Sequence, residues 1–122
     1  MARAALTVQT TVRTGLNQSY TAAIADGHAF DNSSKRVFLH IKNAGGGAVV
    51  VTIDCPKTVD GLAVPDLQVS VPAGEERMIG PFPEDLYSQV DSALGIDEAV
   101  HIDTDTQTGI SYAAIQLGSL SY

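Results

Sequence analysis

The sequence predicts an all-β domain: an antiparallel β-sandwich, jelly-roll-like fold or small barrel of about seven to nine short strands. Apolar and polar residues alternate with period two in several segments, the signature of strands with one buried face. Turn residues punctuate the chain at about ten-residue spacing, as in sandwiches and barrels. No apolar stripe of helical period runs beyond two turns.

The elements follow in order. Residues 4–12 have strand composition, with Leu6 and Val8 alternating against Thr7 and Gln9. Residues 14–19 read as a loop, and residues 20–25 fit either a helical turn or a strand. Asp26-Gly27 is a turn, residues 28–30 a short extended piece, and residues 31–34 a cluster of Asp, Asn and Ser whose side chains bond their own backbone. Residues 36–43 place Val37, Leu39 and Ile41 on one side and Arg36, His40 and Lys42 largely on the other. Gly45, Gly46 and Gly47 then reverse the chain into a second strand at 48–55, which reads as a hairpin. A turn-rich loop leads to residues 66–71, where Leu67, Val69 and Val71 alternate. Pro72-Ala73-Gly74 turns the chain into residues 75–82. Pro83 with two acids after it suits a helical N-terminus, while residues 90–94 carry no clear signal. Strands are predicted again at 99–103 and 110–117, around a polar turn. The predicted core is Val37, Leu39, Ile41, Val49, Val51, Ile53, Leu67, Val69, Val71, Ile79, Val100, Ile102, Ile115 and Leu117.

A chain of 122 residues is one domain, large enough to bury roughly two thirds of its unfolded surface and fold without a metal or disulfide. Residues 1–12 are a candidate N-terminal arm and residues 118–122 a C-terminal tail. With no Trp, three Phe and four Tyr, the core must be aliphatic. The net charge of −7 is split. Residues 1–59 carry six basic and three acidic groups, +3, and residues 60–122 carry eleven acids and only Arg77, −10. An acidic chain does not bind nucleic acid by neutralising phosphates. The asymmetry fits pairing within the domain, or complementary faces that meet between subunits. No apolar run approaches the roughly 20 residues of a membrane span, and the first residues lack the apolar stretch of a signal peptide. Cys55 is the only cysteine, so no internal disulfide forms.

Chemistry is thinly marked. His28, His40 and His101 are isolated in sequence, and only the fold could gather them into a zinc site. Cys55 has no base near it in sequence. Asp103 and Asp105 have the first spacing of a calcium loop but lack the later ligands. The glycine run has no following Lys-Ser/Thr, and no Ser sits in a Gly-x-Ser-x-Gly setting. No catalytic, cofactor-binding or metal residue is therefore assigned, and the chain is expected to be non-enzymatic. The candidate partner-binding residues are Arg3, Leu6, Val8, Arg13, Lys35 and Arg36. The first four form an apolar strand with basic ends and no nearby hairpin mate, suited to adding onto a sheet edge in another chain. Their charge favours an acidic partner.

The segments VFLHIKNAGGGAVVVTID (37–54), TVDGLAVPDLQVSVPAGEERMIGPFPEDLY (58–87) and GISYAAIQL (109–117) carry a further signal. A strand ending in Asn43-Ala44, a Thr52-Ile53 strand, the Pro72-Ala73-Gly74 turn and the Gly80-Pro81-Phe82 exit resemble small β-structured virion proteins of tailed bacteriophages. Within these, the pattern is similar to the head decoration, or cement, proteins. The resemblance implies a homotrimer on the outside of a capsid, bound to the major capsid protein lattice and stabilising it without catalysis or cofactor. It also implies assembly in the host cytoplasm. A neck, tail or fibre role is the nearest alternative. A ligand- or carbohydrate-binding sandwich, with Tyr87, Tyr112 and Tyr122 as sugar platforms, is the alternative from another class.

Overall fold

The computed structural model describes residues 3–118. Its elements in chain order are β1 (Ala4–Ala5), β2 (Val8–Thr10), β3 (Thr21–Ala22), β4 (His28–Asp31), β5 (Val37–Asn43), β6 (Val49–Ile53), β7 (Thr58–Val59), β8 (Leu62–Ala63), β9 (Leu67–Val71), β10 (Glu76–Ile79), α1 (Glu84–Tyr87), β11 (Gln89–Asp91), β12 (Ile96–Thr104) and β13 (Ile110–Gln116). The domain is all-β and sandwich-like. Nine of these strands have three or more residues; β1, β3, β7 and β8 have two.

One sheet runs β1-β4-β12-β6-β9, with β11 also on β12. The other runs β10-β5-β13-β2, with β3 also on β13. β7 and β8 form a separate small hairpin. The sheets pack face to face because alternate residues of each are apolar. Phe30, Val49, Val51, Ile53, Val71, Val100 and Ile102 enter from the first sheet, and Val37, Leu39, Ile41, Ile79, Ile110, Tyr112 and Ala114 from the second. Phe82 closes one end of this core, with its ring 5.6 Å from Phe30 and 5.8 Å from Tyr87. Residues 83–98, largely silent in sequence, hold the single turn of α1, the strand β11 and the start of β12.

Three expectations are corrected. The glycine run does not make a hairpin. β5 pairs with β10 and β13, whereas β6 pairs with β12 and β9, so residues 44–48 carry the chain from one sheet to the other. The buried Asn43 directs this crossing. Its Nδ2 donates to Gly47 O at 2.8 Å and Val71 O at 3.0 Å, and its Oδ1 accepts from Gly45 N at 2.9 Å.

The second correction concerns the N-terminal segment, which is not a free arm. β1 pairs in parallel with β4, and β2 in parallel with β13. Between them Leu6 is buried in the core. A parallel partner is necessarily distant in sequence, so no local hairpin signal announces it. Of the proposed C-terminal tail only Gly118 falls among the described residues, and its N–H donates to Thr11 Oγ1 at 2.8 Å.

The third correction is the inward face of β13. Ile110, Tyr112 and Ala114 belong to the core cluster; Ile115 and Leu117 have the opposite parity, where Ile115 is buried as expected and Leu117 is exposed. Leu67 and Val69 are half-buried and pack against the core from the edge strand β9. The remaining predicted core positions are buried.

Candidate functional site

The alternation that drives Val37, Leu39 and Ile41 inward puts Phe38, His40 and Lys42 on the outer face of the second sheet. Register sets their neighbours. Met78 lies opposite His40, and Glu76 opposite Lys42, on β10. On the other side Ile115 lies opposite Phe38, and Ala113 opposite His40, on β13. The outer face is thus apolar at one end and polar at the other.

At the apolar end lies a groove of about 390 Å³, lined by Lys35, Arg36, Phe38, Met78, Ile79, Gly80, Pro81 and Leu117. Phe38 and Met78 take outward slots that a solvated strand usually fills with polar residues. The rim carries the two cations. Lys35 Nζ is 3.7 Å from Glu98 Oε1, a loose pair with both groups partly exposed. Arg36 is exposed, and its backbone N–H donates to Ser34 Oγ at 3.3 Å.

At the polar end a chain of three side chains crosses the sheet. Glu76 Oε1 is 2.7 Å from His40 Nε2, and the Tyr20 hydroxyl is 2.6 Å from His40 Nδ1. With Nε2–H donating to the carboxylate, Nδ1 accepts from Tyr20. Lys42 Nζ stands 4.0 Å from the centre of the Tyr20 ring, a cation–π contact. Hydroxyl, imidazole and carboxylate in this order are the parts of an activated nucleophile. None of the three lines the groove, so chain and groove do not form one site. The chain pins the loop before β3 onto the sheet. Gln9 helps, donating to Ser19 O at 2.7 Å and accepting from Ser19 N at 2.9 Å.

The second exposed feature is the β7–β8 hairpin between β6 and β9. Asp60 and Gly61 form its two-residue turn, both with left-handed backbone (φ 53° and 80°), as a type I′ turn requires. Val59 and Leu62 flank that turn and face solvent.

The six candidate partner-binding residues are scattered. Arg3 is consumed internally: Nη1 donates to His28 O at 3.2 Å, Ile102 O at 3.1 Å and Asp103 Oδ1 at 3.0 Å. Leu6 is buried and Val8 packs against the core, so neither offers a surface for strand addition. Arg13 is exposed on the loop after β2. Only Lys35 and Arg36 come together, at the groove. Sequence reasoning missed Phe38, Met78, Leu117, Val59 and Leu62. For Phe38 the available signal was an apolar residue in an outward slot of an alternating strand, and for Val59 and Leu62 it was the Asp60-Gly61 turn dipeptide between them.

The histidines do not converge. His101 Nε2 is 2.9 Å from Asp91 Oδ2, and His28 lies in the core. Among the described residues, no three His, Cys, Asp or Glu side chains gather as a metal site would require. Asp103 is held by Arg3, and Asp105 Oδ1 accepts from Val50 N at 2.9 Å, so the two carboxylates serve different partners. Cys55 is a buried free thiol. Tyr112 is a core residue and Tyr87 packs on Phe82, so these two form no sugar platform; Tyr122 lies outside the described residues.

His28 and Tyr112 link the two sheets through the core. Burial, and then the nearby Arg3 cation, hold the His28 pKa below its ordinary 6.5. Burial, and then Asp103, push the Tyr112 hydroxyl up, partly offset by Arg3. A neutral imidazole and a protonated phenol follow, with the Tyr112 O–H donating to His28 Nδ1. Since the unfolded chain binds this proton more readily, the contribution is fully present above pH 6.5 and is lost as pH falls through that value toward the folded pKa. Urea midpoints measured from pH 8 to 5 are expected to drop more steeply in the wild type than in His28→Gln. Parallel curves would refute the assignment.

Among the described residues no helix is long and apolar enough to cross a membrane. Comparison with known family models, curated proteins and solved structures finds no match.

Proposed function

We propose that this domain is a non-enzymatic structural protein of a tailed-phage virion. It binds the outside of the capsid as a homo-oligomer, with the major capsid protein lattice as partner, and stabilises the shell. One observation carries the reading. A tightly packed sandwich presents an apolar groove with a cationic rim on one sheet, and a stiff apolar hairpin on the other. Both are features of protein–protein contact, where an apolar centre is surrounded by a polar rim. The segments that resemble decoration proteins also do structural work here: Asn43 directs the sheet crossing and Phe82 closes the core. The acidic balance of the chain favours a protein surface over nucleic acid.

The groove also supports a second reading, a ligand-binding sandwich. Its volume of about 390 Å³ falls in the range of small-molecule pockets.

Two measurements separate these readings. Labelling purified particles of the phage that encodes the chain with a specific antibody is expected to mark the head. Label at the neck, tail or fibres transfers the reading to those parts, and unlabelled particles refute a virion role. Sedimentation at tens of micromolar is expected to give a closed oligomer, a trimer by the resemblance. A monomer that binds an apolar small molecule in the groove would favour the second reading.

A further inference from the structure

Among the described residues, the β7–β8 hairpin and the groove each hold two strongly exposed apolar side chains. On the β7–β8 hairpin Val59 is 55% and Leu62 73% exposed; in the groove Met78 is 68% and Leu117 58% exposed. The hairpin leaves the sheet that contains β6 and β9, and the groove opens on the sheet that contains β5, β10 and β13. No hairpin residue lines the groove. A contact between them therefore takes two copies.

We propose that the β7–β8 hairpin of one copy docks in the groove of the next, with Val59 and Leu62 against Phe38, Met78 and Leu117. The proposal rests on the self-association part of the function above, and not on the capsid. Charge complementarity selects this occupant. Asp60 sits at the hairpin tip, between the two apolar residues, and Lys35 and Arg36 stand on the groove rim. Lys57, the hairpin's one cation, sits at its base, where its carbonyl accepts from Val64 N at 3.0 Å. Tip and rim thus carry opposite signs around an apolar centre, which orients the encounter and rejects the reversed one.

The hairpin is also organised before it docks. Its turn holds two adjacent left-handed residues, the Val64–Lys57 bond closes its base, and Cys55 N donates to Asp66 Oδ1 at 2.8 Å just beyond. Little ordering is left for association, and that raises affinity. The two surfaces are different, so the contact is heterologous. Each copy gives its hairpin to one neighbour and its groove to another. Such a contact closes into a ring when its rotation divides the circle, the symmetry of a trimer.

The test uses single-cysteine additions to the full chain, since Cys55 is buried. Leu62→Cys and Met78→Cys proteins are treated with a short bismaleimide, alone and mixed. Cross-linked dimers are expected in the mixture and not in either protein alone. Dimers of Leu62→Cys with itself would show a symmetric hairpin contact and overturn the proposal, as would a mixture that stays uncross-linked. Sedimentation supplies the second arm. Asp60→Arg and Arg36→Glu are each expected to weaken association at least tenfold, and the double variant to recover most of it. Double-variant association as weak as either single overturns the pairing. A wild-type chain that is monomeric at every concentration tested also overturns it, whereas failure of the capsid reading shows separately, as particles that lack the label.

Discussion

Deleting residues 3–11 is expected to abolish cooperative folding, not to release a functional arm from an intact domain. The segment spans both sheets. β1 supplies the edge beside β4, with Leu6 N donating to Ala29 O at 2.7 Å, and β2 lies along β13, with Thr11 N donating to Gln116 O at 3.0 Å. Arg3 ties the β4 and β12 backbones to the Asp103 carboxylate. Gly27 makes room for that ion pair: a Cβ there would sit 2.1 Å from Asp103 Oδ1 and 2.5 Å from Arg3 Nη1. Loss of the Leu6 side chain alone should cost about 2–5 kcal/mol. Two unzipped edges add to that, in a domain whose whole stability is on the order of 5–15 kcal/mol. Circular dichroism of the truncated chain should show no cooperative melt. A sharp transition near the full-length midpoint would mean the segment is an appendage after all.

The same segment shows where the sequence was legible. β9 alternates strictly between apolar and polar residues, and β5 and β6 do so apart from Phe38 and Val50 in outward slots; their inward faces were readable because only one parity can be buried. Alternation says which face a residue takes, not which strand lies beside it. The chain after Asn43 moves to the other sheet, and so does the chain after Gly74, because β9 pairs with β6 and β10 with β5. Both sites carry the glycine or Pro-Gly signature of a hairpin. The hairpin that does form around Asp60-Gly61 has the favoured turn dipeptide, but two-residue strands give no alternation to accompany it. The groove was hidden for another reason. It takes residues from 35–38, 78–81 and 117, which only the strand order β10-β5-β13 brings together.

Ile53→Ala is expected to cost about 2–5 kcal/mol, and Leu117→Ala to change stability by less than about 0.5 kcal/mol. Sequence alternation assigned both residues to the core, and their environments differ. Ile53 is fully buried, with Ile102 and Leu67 opposite it on the two flanking strands, so truncation leaves a cavity between the sheets. Leu117 follows a strand that is apolar on both parities: Ile110, Tyr112 and Ala114 turn inward, Ala113 and Ile115 outward. With two apolar faces the period-two rule cannot choose, and the choice passes to fit. The large Tyr112 ring needs the buried partner that His28 supplies, and this sets the parity of the whole strand. Leu117 is then left on the outer face, at the groove. Urea denaturation of the two variants reads the difference directly. Equal losses would place Leu117 in the core and reverse the face assigned to β13; a loss at Leu117 alone would reverse the face of β6 as well.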